Sequence, residues 1–195
     1  MFFYFTPGEL INDAIIIKLV SLWNEKVKIR PERTTIQKLC YFAEAIGVPL
    51  GYKFSVYKYG PYSQELFEKI DDMVMYGLLA DECSENRQKD SASQYSITES
   101  SQEILATYSE LLNTYEDNIN SLVDCFKDMQ LRELELVSTI HYYYTANNGY
   151  YRGIEKDYLK KLTIEKVVKA KKDRFKKKEI DNAYFELEKN DFVFC

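Results

Sequence analysis

The stretch YKYGPYSQELF, residues 57–67, is where the pattern of the chain changes from extended to helical. The residues that lead into it, 52–59, are rich in aromatic side chains, which predicts a short strand. Gly60 and Pro61 suit the cap and the first turn of a helix. A strand followed by a helix over about 62–76 is therefore predicted.

The sequence around this stretch predicts two helices before it and a β-hairpin after it. Residues 9–25 are apolar on most sides, which indicates a central, buried helix. Residues 36–46 carry apolar side chains at helical spacing. Residues 78–80 and 94–98 read as two short strands around a polar loop. Three helices followed by a two-stranded wing predict a winged-helix-like core over residues 1–100.

Residues 101–195 are predicted to form a helical extension that packs on this core as one unit. Apolar positions over 104–129 recur at nearly heptad spacing and predict one helix of about 28 residues. This helix either lies along the core or pairs with a second copy to make a homodimer. Residues 192–194 form a terminal strand or a tucked tail. The fold class is mainly α with a small β-hairpin (α+β), and the remaining helices are predicted at 131–144, 155–162, 164–173 and 179–189.

The chemistry-bearing residues argue against an enzyme. His141 is the single histidine, so catalytic triads lack a spare base and sites with several histidines are excluded. It lies on an apolar helix stripe, which favours a partly buried, hydrogen-bonded imidazole. The 7 glycines form neither a phosphate loop nor a dinucleotide-binding pattern. No catalytic residue, metal or cofactor is expected.

The cysteines and the hydropathy indicate a cytoplasmic protein. Cys40, Cys83, Cys125 and Cys195 are far apart along the chain. They match neither metal-ligand spacing nor a disulfide framework. The apolar first residues lack a basic leader. Residues 14–23, the most apolar later stretch, are too few to span a bilayer. No membrane association is expected.

The net charge of −5 is unlike that of a general nucleic-acid binder. The predicted third helix carries four acidic residues against Lys69 alone, and the wing loop carries four acidic and two basic residues. DNA-reading winged helices press these surfaces against phosphates, which negative charge would repel. The usual groove-reading mode is therefore disfavoured.

The segment 156–178 is the exception, with eleven basic and three acidic residues. It is the basis of an alternative function, a DNA-binding transcriptional regulator. Other interpretations are a solvated helical hairpin that balances the acidic body, or a surface for an acidic partner. The candidate nucleic-acid contacts are Lys160, Lys161, Lys166, Lys169, Lys171, Lys172, Arg174, Lys176, Lys177 and Lys178.

Two strings carry a family resemblance. IQKLCYF, residues 36–42, resembles the helix signature of the Panacea antitoxin domain, also known from the SocA-type antitoxin. YKYGPYS, residues 57–63, resembles the aromatic-Gly-Pro turn of that family. The pair Tyr62-Ser63, followed by a wing, is closer to the uncharacterised YwgA-type bacterial proteins. The resemblance covers roughly residues 9–100.

The resemblance implies a non-enzymatic module of antitoxin or adaptor type that binds and masks a protein partner. Gly60 and Pro61 are also explained by the turn alone. Tyr59 and Tyr62 have a further rationale, because tyrosine is enriched at binding hot spots. The partner-binding residues implied by the resemblance are Gln37, Lys38, Tyr41, Tyr57, Tyr59, Gly60, Pro61 and Tyr62.

Overall fold

The computed structural model describes residues 7–82 and 92–189 of the chain. These residues are mainly helical, with two small antiparallel strand pairs, which confirms the predicted fold class. In chain order the elements are α1 (Pro7–Lys26), α2 (Arg33–Ala45), β1 (Ser55–Tyr57), β2 (Gly60–Tyr62), α3 (Gln64–Met75), β3 (Leu79–Asp81), β4 (Tyr95–Ile97), α4 (Glu99–Thr107), α5 (Ser109–Thr114), α6 (Glu116–Phe126), α7 (Leu131–Tyr150), α8 (Lys156–Lys171) and α9 (Lys177–Lys189).

The chain divides into two compact units. Unit 1 comprises Met1–Phe54 and Ser63–Met129, and unit 2 comprises Ser55–Tyr62 and Gln130–Cys195. The division differs from the predicted boundary at residue 100. The three helices after that residue pack on α1 within unit 1, and the β1–β2 hairpin packs on α7 within unit 2.

Unit 1 is built around α1, as its sequence predicts. The side chains from Ala14 to Ile17, together with Leu19 and Val20, are completely buried. Helices α2, α4, α5 and α6 and strand β4 all contact α1. Because neighbours surround the helix, it buries apolar residues on most sides rather than along one stripe.

The helix predicted over 104–129 is wrong in one respect: it is three helices rather than one. The backbone leaves helical geometry at Tyr108 (φ −101°, ψ 18°) and at Tyr115 (φ −111°, ψ 9°). The two breaks let Ile104, Leu112 and Ile119 all bury in the core that surrounds α1. A single straight helix would not bring all three of these side chains into that core. These apolar residues are buried within unit 1, as expected from the alternative in which this segment lies along the core.

The predicted start of the third helix is also wrong. Gly60 and Pro61 belong to strand β2, because a left-handed Gly60 (φ +90°) turns the chain back on β1. The helix α3 begins at Gln64, and the Ser63 hydroxyl accepts a hydrogen bond from the Leu66 amide at 3.4 Å. A serine therefore caps this helix, which is the usual chemistry of a helix start.

The two short strands predicted after the third helix are confirmed as the antiparallel pair β3–β4. Leu79 lies opposite Ile97, and Asp81 lies opposite Tyr95. Residues 83–91 of the intervening polar loop fall outside the described residues.

Arg33 of α2 connects strand β4 to helix α3 within unit 1. Its guanidinium donates to the Phe67 carbonyl at 3.0 Å, to the Tyr95 hydroxyl at 2.7 Å and to Asp71 at 2.5 Å.

Replacing Arg33 by alanine is expected to lower the free energy of unfolding of unit 1 by about 2–3 kcal/mol, because charge-assisted hydrogen bonds are lost.

Urea unfolding followed by fluorescence checks this expectation, since the single tryptophan, Trp23, is buried in unit 1. Arg33→Lys is expected to restore less than half of the loss, because an ammonium cannot reproduce the guanidinium fork. Arg30→Ala removes an exposed arginine and is the matched control. An Arg33→Ala shift no larger than that of the control would contradict the expectation.

Unit 2 contains α7, α8 and α9, which all contact one another. Two predicted helix ends are wrong here. α7 continues through residues 147–149, because Asn147 is buried and its amide donates to the Thr163 hydroxyl at 3.3 Å. The helices predicted at 155–162 and 164–173 are the single helix α8, since Thr163 is buried within it. The segment 192–194 lies outside the described residues.

None of the helices in the described ranges is long and apolar enough to cross a membrane.

Candidate partner-binding site

The aromatic-Gly-Pro turn forms a small β-hairpin in unit 2. Strand β1 pairs antiparallel with β2, with Ser55 opposite Tyr62 and Tyr57 opposite Gly60. Lys58 and Tyr59 form its two-residue loop, and two-residue loops are common in hairpins. We call residues 55–62 the tyrosine hairpin.

Gly60 brings the hairpin backbone directly against α7. A Cβ atom at this position would lie 3.0 Å from Thr139 Oγ1, 3.1 Å from Ser138 Oγ and 3.2 Å from the Glu135 carbonyl oxygen. Its φ of +90° is also a conformation that residues with side chains rarely adopt. Glycine is therefore required here both for the turn and for the close approach to α7.

A buried group of charged side chains lies beside the hairpin. The Glu135 carboxylate of α7 accepts a hydrogen bond from Lys171 Nζ at 2.8 Å. It also accepts from Arg174 Nε at 3.0 Å and from Arg174 Nη2 at 2.6 Å. Glu135 and Lys171 are buried, whereas Arg174 reaches the surface. We call these three residues the ion cluster.

The ion cluster holds the loop of the hairpin through Lys171. The Lys171 ammonium donates to the Lys58 carbonyl at 2.5 Å and to the Tyr57 carbonyl at 3.3 Å. Burial lowers the pKa of Lys171 below its ordinary value, and the ion pair with Glu135 acts in the opposite direction. The positive charge that anchors the hairpin therefore depends on Glu135.

The outer face of the hairpin is aromatic and cationic. Tyr57 is 70% exposed and Tyr59 is 43% exposed. The Tyr57 ring lies 5.8 Å from the Tyr62 ring. The Arg174 guanidinium lies 4.8 Å from the centre of the Tyr59 ring, and Lys58 Nζ lies 5.3 Å from the same ring. Tyr59 thus combines exposure with two cation–π contacts that restrict its movement.

The structure separates the predicted partner-binding residues into three groups. Tyr57 and Tyr59 are exposed and Tyr62 is half-buried, so these side chains form the outer face of the tyrosine hairpin. Gly60 and Pro61 are buried and shape the turn. The remaining predicted contacts are buried in unit 1, which opposes a contact role for these side chains: Gln37, Lys38 and Tyr41.

Gln37 has a structural role that the sequence did not indicate. Its side-chain amide donates to the Ser63 carbonyl at 2.8 Å, and its amide oxygen accepts from the Ser63 N–H at 2.9 Å. Both backbone groups of the residue that caps α3 are therefore satisfied by one buried side chain.

The predicted nucleic-acid contacts are also divided. Lys171 is buried in the ion cluster, which opposes a nucleic-acid contact, and the Arg174 charge is paired with Glu135. Lys160 is half-buried and pairs with Glu188 at 3.0 Å. Lys166 is exposed and donates to the buried Asn147. The other predicted contacts are exposed on α8, α9 or the turn that joins them: Lys161, Lys169, Lys172, Lys176, Lys177 and Lys178.

The sequence analysis did not select Glu135, although the residues around Glu135 indicate that it is buried. Glu135 is followed by the run Leu136 to Ile140 and preceded by Leu134, and all of these residues are buried. A carboxylate within such a run is buried only with a partner. The partners, Lys171 and Arg174, are more than thirty residues away, so the sequence did not identify them.

The fold and the hairpin define a mainly helical protein with an anchored, exposed pair of tyrosines. No family model matches the chain. The chain is 31% identical over 111 residues to the uncharacterised protein YwgA of Bacillus subtilis (strain 168). The match covers 57% of this chain and 64% of the length of YwgA. This similarity supports a YwgA-type relationship.

Proposed function

We propose that the protein is a non-enzymatic interaction module of antitoxin or adaptor type, which binds and masks a protein partner through the tyrosine hairpin. The observation that carries the proposal is the exposure of Tyr57 and Tyr59 on a backbone held by Gly60 and Lys171. Tyrosines are frequent hot spots. Side chains on a fixed backbone lose less conformational entropy on binding than those on a mobile loop.

A protein is favoured over DNA as the partner because of the charge of α3. In a winged-helix-like arrangement, which we propose for α1, α2, α3 and the β3–β4 wing, α3 would be the reading helix. Its exposed residues include Glu65, Glu68 and Asp72. Carboxylates on this face would repel the phosphates that supply most non-specific affinity for DNA.

The antitoxin form of the proposal rests on the resemblance of residues 36–42 and 57–63 to the Panacea domain. In this form the partner is a toxin whose working surface the hairpin covers. An adaptor form uses the same contacts to hold a target protein.

The lysines of α8 and α9 support a second candidate function, a DNA-binding regulator. Exposed lysines such as Lys161, Lys169 and Lys177 could contact phosphates. Exposed carboxylates on the same segment, Asp157 and Glu165, oppose this contact. Binding of duplex DNA that persists at about 0.2 M salt would favour this second function over the first.

Capture of proteins from the native host by the full chain tests the proposal. The double variant Tyr57→Ala/Tyr59→Ala is expected to lose the principal partner, with a fall in affinity of about tenfold or more. The matched control is Tyr150→Ala/Tyr151→Ala, which removes two exposed tyrosines from the end of α7. The proposal predicts that this control recovers the same partner as the wild type.

Two results would contradict the proposal. One is the recovery of identical partners by the wild type and by the hairpin variant at equal bait concentration. The other is an equal loss of partner with the Tyr150→Ala/Tyr151→Ala control, which would show that exposed tyrosines matter irrespective of position.

A further inference from the structure

A groove with a volume of about 570 Å³ lies on the surface of unit 2 between α8 and α9. Its apolar centre is formed by Ile164 and Val168, which are both half-buried. The other residues that line it are charged and come from one face of α8 and the first turns of α9. Such a groove between two helices has the shape that receives a third helix.

The two helices that form the groove run antiparallel. The ion pair between Lys160 and Glu188, at 3.0 Å, joins the start of α8 to the end of α9. Lys177 and Asp181, in the first turns of α9, consequently lie beside the last turns of α8. They add their charges to those of α8 at that end of the groove.

The charges along the groove alternate in sign. From the start of α8 they are a negative charge at Asp157 and a positive charge at Lys161, whereas Lys160 between them is already paired with Glu188. Past Ile164 there is a negative charge at Glu165.

Two further groups of charges complete this series. Asp181 of α9 adds a second negative charge near Glu165, and Lys169 and Lys177 end the groove with two positive charges. A polyanion such as DNA is opposed by the negative charges in the middle. The alternating pattern requires an occupant that alternates in the opposite sense.

We propose that the occupant is the same helix of a second copy of this chain. In an antiparallel arrangement with a twofold axis at the level of Thr163, residues equally distant from Thr163 face each other. Asp157 and Lys169 are each six residues from Thr163, and Lys161 and Glu165 are each two residues from it. Each negative residue then faces a lysine of the second copy, and the symmetry makes every pair occur twice.

The α9 residues follow the same rule of opposite charges. Lys177 lies near Lys169 and so approaches Asp157 of the second copy. Asp181 approaches Lys161 of the second copy. Ile164 lies one residue from the axis, so the two copies of its side chain meet near the centre. The apolar centre is small and the rim is exposed, which predicts a weak dimer that is sensitive to salt.

Sedimentation velocity of the full chain, at about 1 to 100 μM and at ~50 and ~500 mM salt, tests the proposal. The expected result is a dimer at low salt whose dissociation constant rises at least tenfold at high salt. Glu165→Lys would place lysine against Lys161 and is expected to give a monomer. Lys161→Glu/Glu165→Lys restores opposite charges across the axis and is expected to restore the dimer.

Lys178→Glu changes an exposed lysine of α9 that does not line the groove, and this control is expected to leave the dimer unchanged. Circular dichroism verifies that each variant is folded. A wild type that stays monomeric throughout would overturn the proposal. So would a dimer unaffected by Glu165→Lys, or a folded double variant that remains monomeric. None of these variants changes the tyrosine hairpin, so this test is independent of the proposed function.

Discussion

Replacing Glu135 by glutamine is expected to lower the free energy of unfolding of unit 2 by about 3–5 kcal/mol. The substitution keeps the shape of the side chain but removes the carboxylate that accepts hydrogen bonds from both Lys171 and Arg174. A buried ammonium would then lie beside a guanidinium without a counter-charge. Breaking a buried ion pair from one side has this cost because the remaining charge is neither solvated nor neutralised.

Hydrogen exchange of peptides from α7 and α8, read by mass spectrometry, measures this loss within unit 2. Glu186→Gln, at an exposed position of α9, is the matched control and is expected to change little. Adding Lys171→Met to Glu135→Gln is expected to recover part of the stability, since the unpaired buried charge is removed as well. Equal protection in Glu135→Gln and in the control would contradict the assignment of Glu135.

The effect of Glu135→Gln is expected to diminish at alkaline pH. The pKa of Lys171 is already lowered from its ordinary value of 10.5 by burial, and losing Glu135 lowers it further. Between the folded and unfolded pKa values the unfolded chain binds more protons, so stability rises with pH across that interval. A destabilisation that grows as the pH approaches about 10 would contradict this sign.

Gly60→Ala is expected to lower the free energy of unfolding of unit 2 by about 2–4 kcal/mol. A left-handed conformation costs a residue with a Cβ atom about 1 kcal/mol or more. Displacing Ser138 and Thr139, which lie 3.0–3.1 Å from the added carbon, costs about a further 1–3 kcal/mol. The tyrosine hairpin and the part of α7 around Ser138 are expected to lose hydrogen-exchange protection together.

Gly153→Ala separates these two contributions. Gly153 has a similar φ of +80°, but no atom lies within 4 Å of the position of an added Cβ. It is expected to show the conformational cost alone, about 1 kcal/mol. A Gly60→Ala variant that is no less stable than Gly153→Ala would show that the hairpin does not lie tightly on α7.

The parts of the fold that the sequence predicts are those decided by local pattern. The continuous apolar run of α1 and the alternation around Tyr95 are each sufficient for a correct element. Gly60 and Pro61 failed as predictors because the same pair suits a helix start and a turn. The choice is made by α7, whose small residues Ser138 and Thr139 leave room for the hairpin backbone.

The candidate site could be predicted only in part. The tyrosines beside Gly60 and Pro61 are visible in the sequence, but no local pattern distinguishes Lys171 from the other lysines around it. Lys171 is held inside by contacts with the carbonyls of Tyr57 and Lys58, which lie more than a hundred residues away in the sequence. The family resemblance of residues 36–42 is limited in the same way. It implies a partner contact for Gln37 but does not show that this side chain is buried.

The central claim is that the tyrosine hairpin itself touches a protein partner, and site-directed photo-crosslinking in the native host measures this directly. The crosslinking amino acid benzoylphenylalanine would replace Tyr57 in one sample and the exposed Tyr150 in another. We expect one discrete protein adduct at position 57 that is absent at position 150. The absence of an adduct at position 57, or the same adduct at both positions, would contradict it.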